Sequence, residues 1–415
     1  MLKSLRFEGV GPASKLRVDF SPRLNFLAGD NGFGKTFLLD VAWWVLTRTW
    51  ARAPVVPHAP PVAPEIGYEY DTKGGLKHEY ASTFDRQAEE WSIKQGRPPI
   101  PGMVLYAQVD GGFSVWDPAR NYWKKGSPGR PPSYLFSAPE VWDGFPLDSP
   151  TKLCNGLIAD WASWQLEKGE AFEQLRRVLR ALAPSGSEPL EPGTLKKISL
   201  GDARRHPTLR MPYGQDVALV HASAGMRRVV ALAYLLVWTW QEHVSACKHQ
   251  GIEPAREIVF LVDEIEAHLH PQWQRRIVPA LLDVMEALTG EHDVPVQLIT
   301  ATHSPLVLVS TESIFDEDRD AIWELDLVGD SVQLRESAWH RRGDANSWLT
   351  SSVFDLKEAR SIEAEEAITE ALALLRADSP PKADLERVDG LLRAALGDVD
   401  RFWVRWSAFK KSFEG

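Results

Sequence analysis

The fold of this chain is decided by one stretch, Gly29-Asp30-Asn31-Gly32-Phe33-Gly34-Lys35-Thr36. It matches the pattern GxxxxGK[ST] in full. The apolar run Leu24–Ala28 before it is typical of a buried strand, and the stretch Phe37–Arg52 after it is typical of a helix. A strand that passes through a glycine-rich loop into a helix directs backbone N–H groups at one point, where they bind phosphate. The alternative, a chance glycine-rich turn, leaves the flanking strand and helix unexplained.

Two side chains of this loop predict which ligand it takes. The Lys35 ammonium can bridge the β- and γ-phosphates of a nucleotide, and the Thr36 hydroxyl can ligate Mg²⁺. We therefore expect ATP and Mg²⁺ to bind here.

Two carboxylates follow a second buried strand, Ile258–Val262. A buried parallel strand exposes its chemistry at its carboxyl end, which lies beside the phosphate loop. Asp263 is placed to hold Mg²⁺, and Glu264 to orient or deprotonate the attacking water. The alternative is that both acids only cap the next helix.

A histidine follows a third apolar strand. Residues Gln297–Thr300 lead into Ala301-Thr302-His303-Ser304-Pro305, which brings the His303 ring within reach of a γ-phosphate oxygen. A single histidine is more often an ordinary surface or core residue. As the third element in the correct order, His303 supports a nucleotide-hydrolysing site.

A long helix is predicted over residues 224–248, and Ser223 is a suitable N-cap for it. The start of such a helix carries free N–H groups and is an anion site. A simple helix cap explains Ser223 equally well on local grounds.

Four motifs in this order, GDNGFGKT, ASAGMRR, FLVDEIEAHLHP and ATHSP, resemble those of the ABC-type ATPases of the SMC, RecF and OLD branch. The resemblance is strongest to the AAA-family ATPases of bacterial antiphage defence operons, the Septu type, and it covers residues 1–50 and 215–310. It implies that Ser223 and Gly225 contact the γ-phosphate held by another subunit. One phosphate loop and one such segment per chain then imply a homodimer or higher oligomer with composite sites.

The same resemblance assigns the remaining site residues. Asp263 matches the acid that organises Mg²⁺, Glu264 the catalytic acid and His303 the switch histidine, while residues 266–270 match a loop along the dimer seam. The sequence departs from the family at two points: the signature reads SAGM rather than SGGQ, and Gln108 is the only candidate for the usual glutamine loop. A metal site at His268 and His270 is the alternative to a seam loop.

The composition excludes several classes of protein. The 415 residues carry a formal charge of −10 and two cysteines, which excludes a uniformly basic nucleic-acid binder and a disulfide framework. We find no signal peptide and no run of about 20 apolar residues, so we expect a cytoplasmic protein without a membrane segment. No long heptad region or zinc hook separates residue 36 from residue 223, and the segment after His303 is short for an OLD nuclease domain.

The predicted fold is α/β, a P-loop ABC-type head with additions. Residues 1–52 and 216–340 form the head, 53–215 a β-rich insertion, and 341–415 a C-terminal helical hairpin. Two hairpins are expected in the insertion, turning at 73–75 and 110–112, and a helical patch over 155–182. A further helix is expected in the head at 272–289. Beyond the break at 378–381, apolar residues from Leu385 to Phe413 alternate at spacings of three and four, as in a coiled-coil seam. This region packs on its own domain or contacts a partner.

Two functions are compatible with these features. In the first, an ATP-dependent dimer acts as a sensor or scaffold that regulates a separately encoded effector, a nuclease or toxin, in antiphage defence. In the second, a RecF-like repair ATPase binds DNA ends or gaps. A transporter motor is less consistent with the sequence, because no coupling helix is evident.

Overall fold

A computed structural model describes residues 1–71, 77–93, 102–121, 131–148, 151–185, 188–255, 257–290, 294–377 and 379–413. The chain divides into two compact units, Met1–Gly343 and Asp344–Gly415. The expected limits of the head, the insertion and the C-terminal region stay predictions.

The strands are, in chain order, β1 (Leu2–Glu8), β2 (Lys15–Asp19), β3 (Leu24–Gly29), β4 (Glu65–Asp71), β5 (Lys77–Asp85), β6 (Glu90–Trp91), β7 (Met103–Ala107), β8 (Phe113–Trp116), β9 (Tyr134–Phe136), β10 (Phe145–Asp148), β11 (Thr151–Cys154), β12 (Glu191–Pro192), β13 (Thr208–Arg210), β14 (Asp216–Ala218), β15 (Ile258–Val262), β16 (Val296–Ala301), β17 (Asp320–Val328) and β18 (Ser331–Ser337).

The helices are, in chain order, α1 (Lys35–Thr47), α2 (Ala138–Asp143), α3 (Leu157–Glu167), α4 (Glu170–Ala181), α5 (Ala224–Gln250), α6 (Pro271–Gln274), α7 (Ile277–Thr289), α8 (Pro305–Thr311), α9 (Ala345–Leu349), α10 (Ile362–Leu375), α11 (Lys382–Ala395) and α12 (Phe402–Lys411).

An eight-stranded sheet forms the centre of the first unit, with the strand order β18-β17-β3-β16-β15-β7-β8-β9. The strands from β17 to β7 run parallel, whereas β18, β8 and β9 pair antiparallel at the two sides. Every residue of β15 and β16 is buried, as expected for parallel strands covered on both faces. The predicted buried, mostly parallel sheet is confirmed.

A second, five-stranded antiparallel sheet has the order β2-β1-β4-β5-β6. Helix α1 contributes to a single apolar core together with side chains from both sheets. Its sequence, KTFLLDVAWWVLT, is apolar almost all round, as expected for a helix buried between two layers. This packing fixes the phosphate loop, which leads into α1, against the central sheet.

Strands of the segment 53–215, expected as an insertion, complete both sheets. β4 pairs with β1, and β7 pairs in parallel with β15. The two predicted hairpins exist as the antiparallel pairs β4–β5 and β7–β8. The turn expected at 73–75 lies outside the described residues. The reason for the β7 placement is non-local: its neighbour β15 lies far along the chain.

Three helical predictions need correction in detail. The helix after the phosphate loop ends at Thr47, because Arg48 takes a left-handed conformation (φ 61°). The helical patch at 155–182 is two helices, α3 and α4, separated at Lys168 and Gly169. The helix expected at 272–289 is divided into α6 and α7. Helix α5 was predicted almost to its bounds.

The second unit, Asp344–Gly415, contains α9 to α12. Its core is formed by α10, α11 and α12 around Ile368, Val388 and the fully buried Trp406. The apolar series from Leu385 to Phe413 is not one seam, because residues between α11 and α12 interrupt the helix and Val399 is 95% exposed. Local spacing of apolar residues does not reveal such a break.

Candidate functional site

The phosphate loop has the backbone that its glycines predict. Gly29, Gly32 and Gly34 all have positive φ, at 130°, 83° and 98°. A Cβ on Gly29 would lie 2.1 Å from the carbonyl oxygen of Leu325, so only glycine fits there. Helix α1 begins without a side-chain cap and without an acidic residue in its first turn. Its first N–H groups therefore suit an anion such as phosphate.

Lys35 is folded back over its own loop. Its ammonium donates hydrogen bonds to the carbonyl oxygens of Gly29, at 2.9 Å, and Asp30, at 2.8 Å. Burial lowers the pKa of Lys35, and the nearby carboxylates of Glu264 and Asp263 oppose that shift. The structure thus gathers the loop lysine and both strand-end acids around one point.

Thr36 and Asp263 meet at the carboxyl end of β15. The Thr36 hydroxyl lies 3.0 and 2.9 Å from the two carboxylate oxygens of Asp263, a residue only 1% exposed. A hydroxyl and a carboxylate are ligands that Mg²⁺ accepts. No group of three or more His, Cys, Asp or Glu side chains that could hold a metal occurs in the part of the chain that the structure describes. Thr36 and Asp263 together offer a hydroxyl and a carboxylate, which fits a cation that takes its other ligands from nucleotide phosphates.

A partly buried network surrounds Asp263 that the motifs did not reveal. Arg52 donates to Asp263, at 3.1 Å, and to Asp40, at 3.1 Å. The Tyr106 hydroxyl donates to Asp40, at 3.0 Å. Burial raises the pKa of Asp40, which the Arg52 charge opposes. The only sequence signal was Asp40 itself, a carboxylate within an otherwise apolar helix.

Glu264 has a left-handed backbone conformation, with φ at 47°. Its carbonyl oxygen and that of Asp263 accept hydrogen bonds from Arg228, at 3.1 and 3.0 Å. Over the described residues, no hydrogen bond or ion pair occupies the Glu264 carboxylate. A strained backbone at an unengaged carboxylate is typical of functional positions.

His303 lies at the same sheet edge. Its backbone N–H donates to the Glu266 carboxylate, which also accepts a hydrogen bond from the Thr302 hydroxyl at 2.8 Å. Burial, and next the charge of Lys35, lower the pKa of His303. The ring is therefore neutral at pH 7 and able to act as a hydrogen-bond donor near the loop lysine.

The start of helix α5 is separate from this group. Ser223 is the N-cap, and its hydroxyl accepts a hydrogen bond from the Met226 N–H at 3.3 Å. A Cβ on Gly225 would lie 2.4 Å from the His268 carbonyl oxygen, so the helix start packs on the loop after Glu264. Among the residues with a described position, no hydrogen bond joins Ser223 or Gly225 to the phosphate loop.

The weaker candidates lie nearby but have other contacts. The Gln108 amide donates to the Ser114 hydroxyl at 3.0 Å inside the β7–β8 hairpin. His270 caps α6 and accepts from the Gln272 N–H at 3.4 Å. His268, with φ at 62°, presents its carbonyl to Gly225. Gln108 as the glutamine-loop residue stays a prediction.

This chain resembles a known protein family and several known proteins. A family model described as "AAA domain, putative AbiEii toxin, Type IV TA system" matches residues 24–310. The Septu protein PtuA of Bacillus thuringiensis is 21% identical over 389 residues, covering 89% of this chain and 88% of that protein. The "Retron Vc95 probable ATPase" of Vibrio cholerae is 44% identical over 105 residues, and the "Retron Ec83 probable ATPase" of Escherichia coli is 30% identical over 100 residues.

The two retron matches are short: each covers 24% of this chain, and they cover 17% and 15% of those proteins.

Among solved structures, the SMC head domain from Thermotoga maritima matches 81% of this chain with 16% identity and a TM-score of 0.40. The recombination mediator protein RecF matches 81% with 13% identity and a TM-score of 0.39. No described helix is long and apolar enough to cross a membrane.

The family match spans the phosphate loop, the start of α5, the acids after β15 and His303. The predicted resemblance to the AAA-family ATPases of defence operons, the Septu type in particular, is thereby confirmed. The chain belongs to the ATPase family described as "AAA domain, putative AbiEii toxin, Type IV TA system".

Proposed function

We propose that this protein binds and hydrolyses ATP in composite sites formed by two copies of the chain. The observation that carries the proposal is the convergence of Lys35, Asp263, Glu264 and His303 at the phosphate loop. These groups come from the ends of two parallel strands and from one helix start, and each has the chemistry that phosphoryl transfer to water needs.

Each residue has a distinct part in the proposed reaction. Residues 29–34 cradle the phosphates through backbone N–H groups, and Lys35 leaves its two loop carbonyls to bind phosphate oxygens. Mg²⁺, when bound, neutralises phosphate charge, and Thr36 and Asp263 would hold it. Glu264 accepts the proton of the attacking water, and neutral His303 donates a hydrogen bond to the terminal phosphate.

Ser223 and Gly225 complete the site of the other subunit. Two features support this part of the proposal: the Ser223 hydroxyl is exposed, and the helix start packs on the loop after Glu264 rather than on the phosphate loop of its own chain. A helix N-terminus carrying a small hydroxyl residue suits contact with a γ-phosphate. We infer that ATP closes a dimer with two sites. In each site, the γ-phosphate is held between the phosphate loop of one subunit and the α5 start of the other.

The biological role that we propose is regulation of a separately encoded effector, a nuclease or toxin, in antiphage defence. The similarity to the Septu protein PtuA supports it, because that match covers most of both chains. ATP-driven closure would supply the conformational change that an effector reads. Salt-dependent stimulation of hydrolysis by bare DNA would instead favour a RecF-like repair role.

Mixed dimers test the composite site. A Lys35→Ala chain has a defective phosphate loop and an intact Ser223, and a Ser223→Arg chain has the reverse. Each homodimer is expected to be inactive, whereas the mixture restores one complete site of two. Because the arginine is bulky enough to block closure, Ser223→Ala is tested in parallel. No phosphate release by either mixture, once subunit exchange is demonstrated, would show that Ser223 is only a helix cap.

A further inference from the structure

Arg228 joins the start of helix α5 to the backbone that carries the proposed catalytic acid. Its guanidinium donates to the carbonyl oxygens of Asp263, at 3.0 Å, and Glu264, at 3.1 Å. The other terminal nitrogen donates to the carbonyl oxygen of Val109, at 2.9 Å, beyond the end of β7. One side chain thus connects helix α5, whose start carries the signature segment, with two loops at the sheet edge.

All three partners of this partly buried guanidinium are backbone carbonyls, which carry no formal charge. Burial lowers the pKa of Arg228, and the carboxylates of Glu264 and Asp263 oppose the shift. An arginine side chain stays charged at pH 7 in any case, and charge-assisted hydrogen bonds to the Asp263 and Glu264 carbonyls are strong. They fix the direction of the peptide groups on either side of Glu264.

This orientation matters because Glu264 has a left-handed conformation, which a side-chain-bearing residue keeps only when its surroundings impose it. The Ala267 N–H also donates to the Glu264 carbonyl, at 2.9 Å. Arg228 supplies the contact from helix α5 to this carbonyl. A change of the φ and ψ angles at Glu264 would move its carboxylate away from Lys35.

The surroundings of Arg228 leave it room to move. A cavity of about 290 Å³ adjoins its side chain and is also lined by Val109, Leu232, His268 and Leu269. Three hydrogen bonds to backbone carbonyls hold the guanidinium beside this cavity. The helix start itself touches the same loop at Gly225, so a displacement of α5 reaches residues 263–269 by two contacts.

We infer that Arg228 is a positioning residue: it holds the Glu264 backbone in the conformation that hydrolysis needs. Whether it does so depends on the position of the start of α5. The inference rests on the proposed function, in which Glu264 activates water and Ser223 meets the nucleotide of the other subunit. Engagement of Ser223 would then be transmitted through one turn of α5 to the catalytic acid of the same chain.

The test compares Arg228→Met and Arg228→Lys with a Lys248→Met control, which removes an exposed charge near the far end of the same helix. Binding of a fluorescent ATP analogue and single-turnover hydrolysis are measured separately. We expect Arg228→Met to bind the analogue nearly as wild type does, because the phosphate loop is unchanged. Its hydrolysis should fall about 10- to 100-fold, the cost of a small misplacement of a catalytic group. Arg228→Lys should lie between, and Lys248→Met should match wild type.

A double-mutant cycle with Glu264→Gln separates positioning from general damage to the fold. If Arg228 acts through Glu264, the Arg228→Met change should slow hydrolysis no further once Glu264→Gln is present, within about threefold. A further loss equal to that of the single variant would overturn the inference. Should Arg228→Met fail to fold, the same cycle is run with Arg228→Lys, which keeps the charge.

The outcomes distinguish the inference from the proposal beneath it. A slow Glu264→Gln variant together with a wild-type rate for Arg228→Met would overturn the inference and leave the proposed function standing. Equal hydrolysis by wild type and Glu264→Gln would overturn both.

Discussion

The two halves of the proposed active site differ in how completely one chain builds them. On the phosphate side, Lys35, Thr36 and Asp263 already hold hydrogen bonds to each other or to their own loop. On the signature side, Ser223 is exposed and caps only its own helix. The first half is preorganised, whereas the second makes no hydrogen bond to the phosphate loop within the described residues. Such a difference suits a site that is switched on by assembly.

Because the two halves of the site are built differently, the free energy needed to displace each of them should differ as well. The phosphate loop leads into α1, which is buried between two sheets. The start of α5 is held by the hydrogen bonds of Arg228 and by the packing of Gly225 on the His268 carbonyl. Variants on the two sides should therefore fail in different ways, and the predictions below are ordered by the size of the expected effect.

The largest effect is expected for Lys35→Ala, which removes the mobile cation from the preorganised half. Nucleotide binding or turnover should be lost, since no backbone group replaces that charge on the β- and γ-phosphates. Isothermal titration with ATP and a phosphate-release assay measure both steps. Wild-type turnover by this variant, in a preparation free of contaminating ATPases, would refute the assignment of the phosphate side.

Glu264→Gln should leave ATP binding intact and slow hydrolysis by about 10²- to 10⁴-fold, because an amide is not a general base. The neutral side chain also removes repulsion of the γ-phosphate, so the variant should associate more strongly with ATP and Mg²⁺ than wild type. Sedimentation velocity with and without nucleotide measures this. If association does not increase, the two halves do not meet in an ATP-closed dimer.

His303→Ala should reduce hydrolysis by about 10²-fold, the effect of removing one preorganised donor. Because burial and the Lys35 charge lower the pKa of His303, its neutral form persists down to pH values below the ordinary 6.5 for histidine. The His303 contribution should thus be constant from pH 8 to about pH 6.5 and grow only at more acidic pH, because the protonated ring donates to phosphate with a positive charge as well. His303→Gln retains a donor and should lose this acid-side dependence, which a pH–rate profile would reveal.

The smallest effect concerns the cap itself. Ser223→Ala should lower the free energy of unfolding by about 1 kcal/mol, while Ser223→Asn, which keeps an acceptor, should cost less. Urea unfolding of the two variants measures this difference. If the hydrolysis rates of both variants fall by far more than their loss of stability explains, Ser223 has a role beyond the cap. If Asn restores activity together with stability, capping alone explains the residue.

The sequence by itself determined the phosphate side and the nature of the α5 start. These predictions rest on local features: the spacing of Gly29, Gly34 and Lys35, the acids after Ile258–Val262, and the cap at Ser223. Such features depend on the backbone preferences of neighbouring residues, which can be read from the sequence. It also gave the core strands, because runs such as IVFLV can only be buried. These elements appear in the structure close to their predicted bounds.

Only the tertiary structure decided which distant groups meet. Arg52 reaches Asp263 across 211 positions, and Arg228 reaches the Asp263 and Glu264 carbonyls across 35 and 36. Strand β7 from the expected insertion became the neighbour of β15, and the apolar series after Leu385 was divided between two helices. None of these follows from spacing, because long-range contacts depend on how buried surfaces fit together in three dimensions.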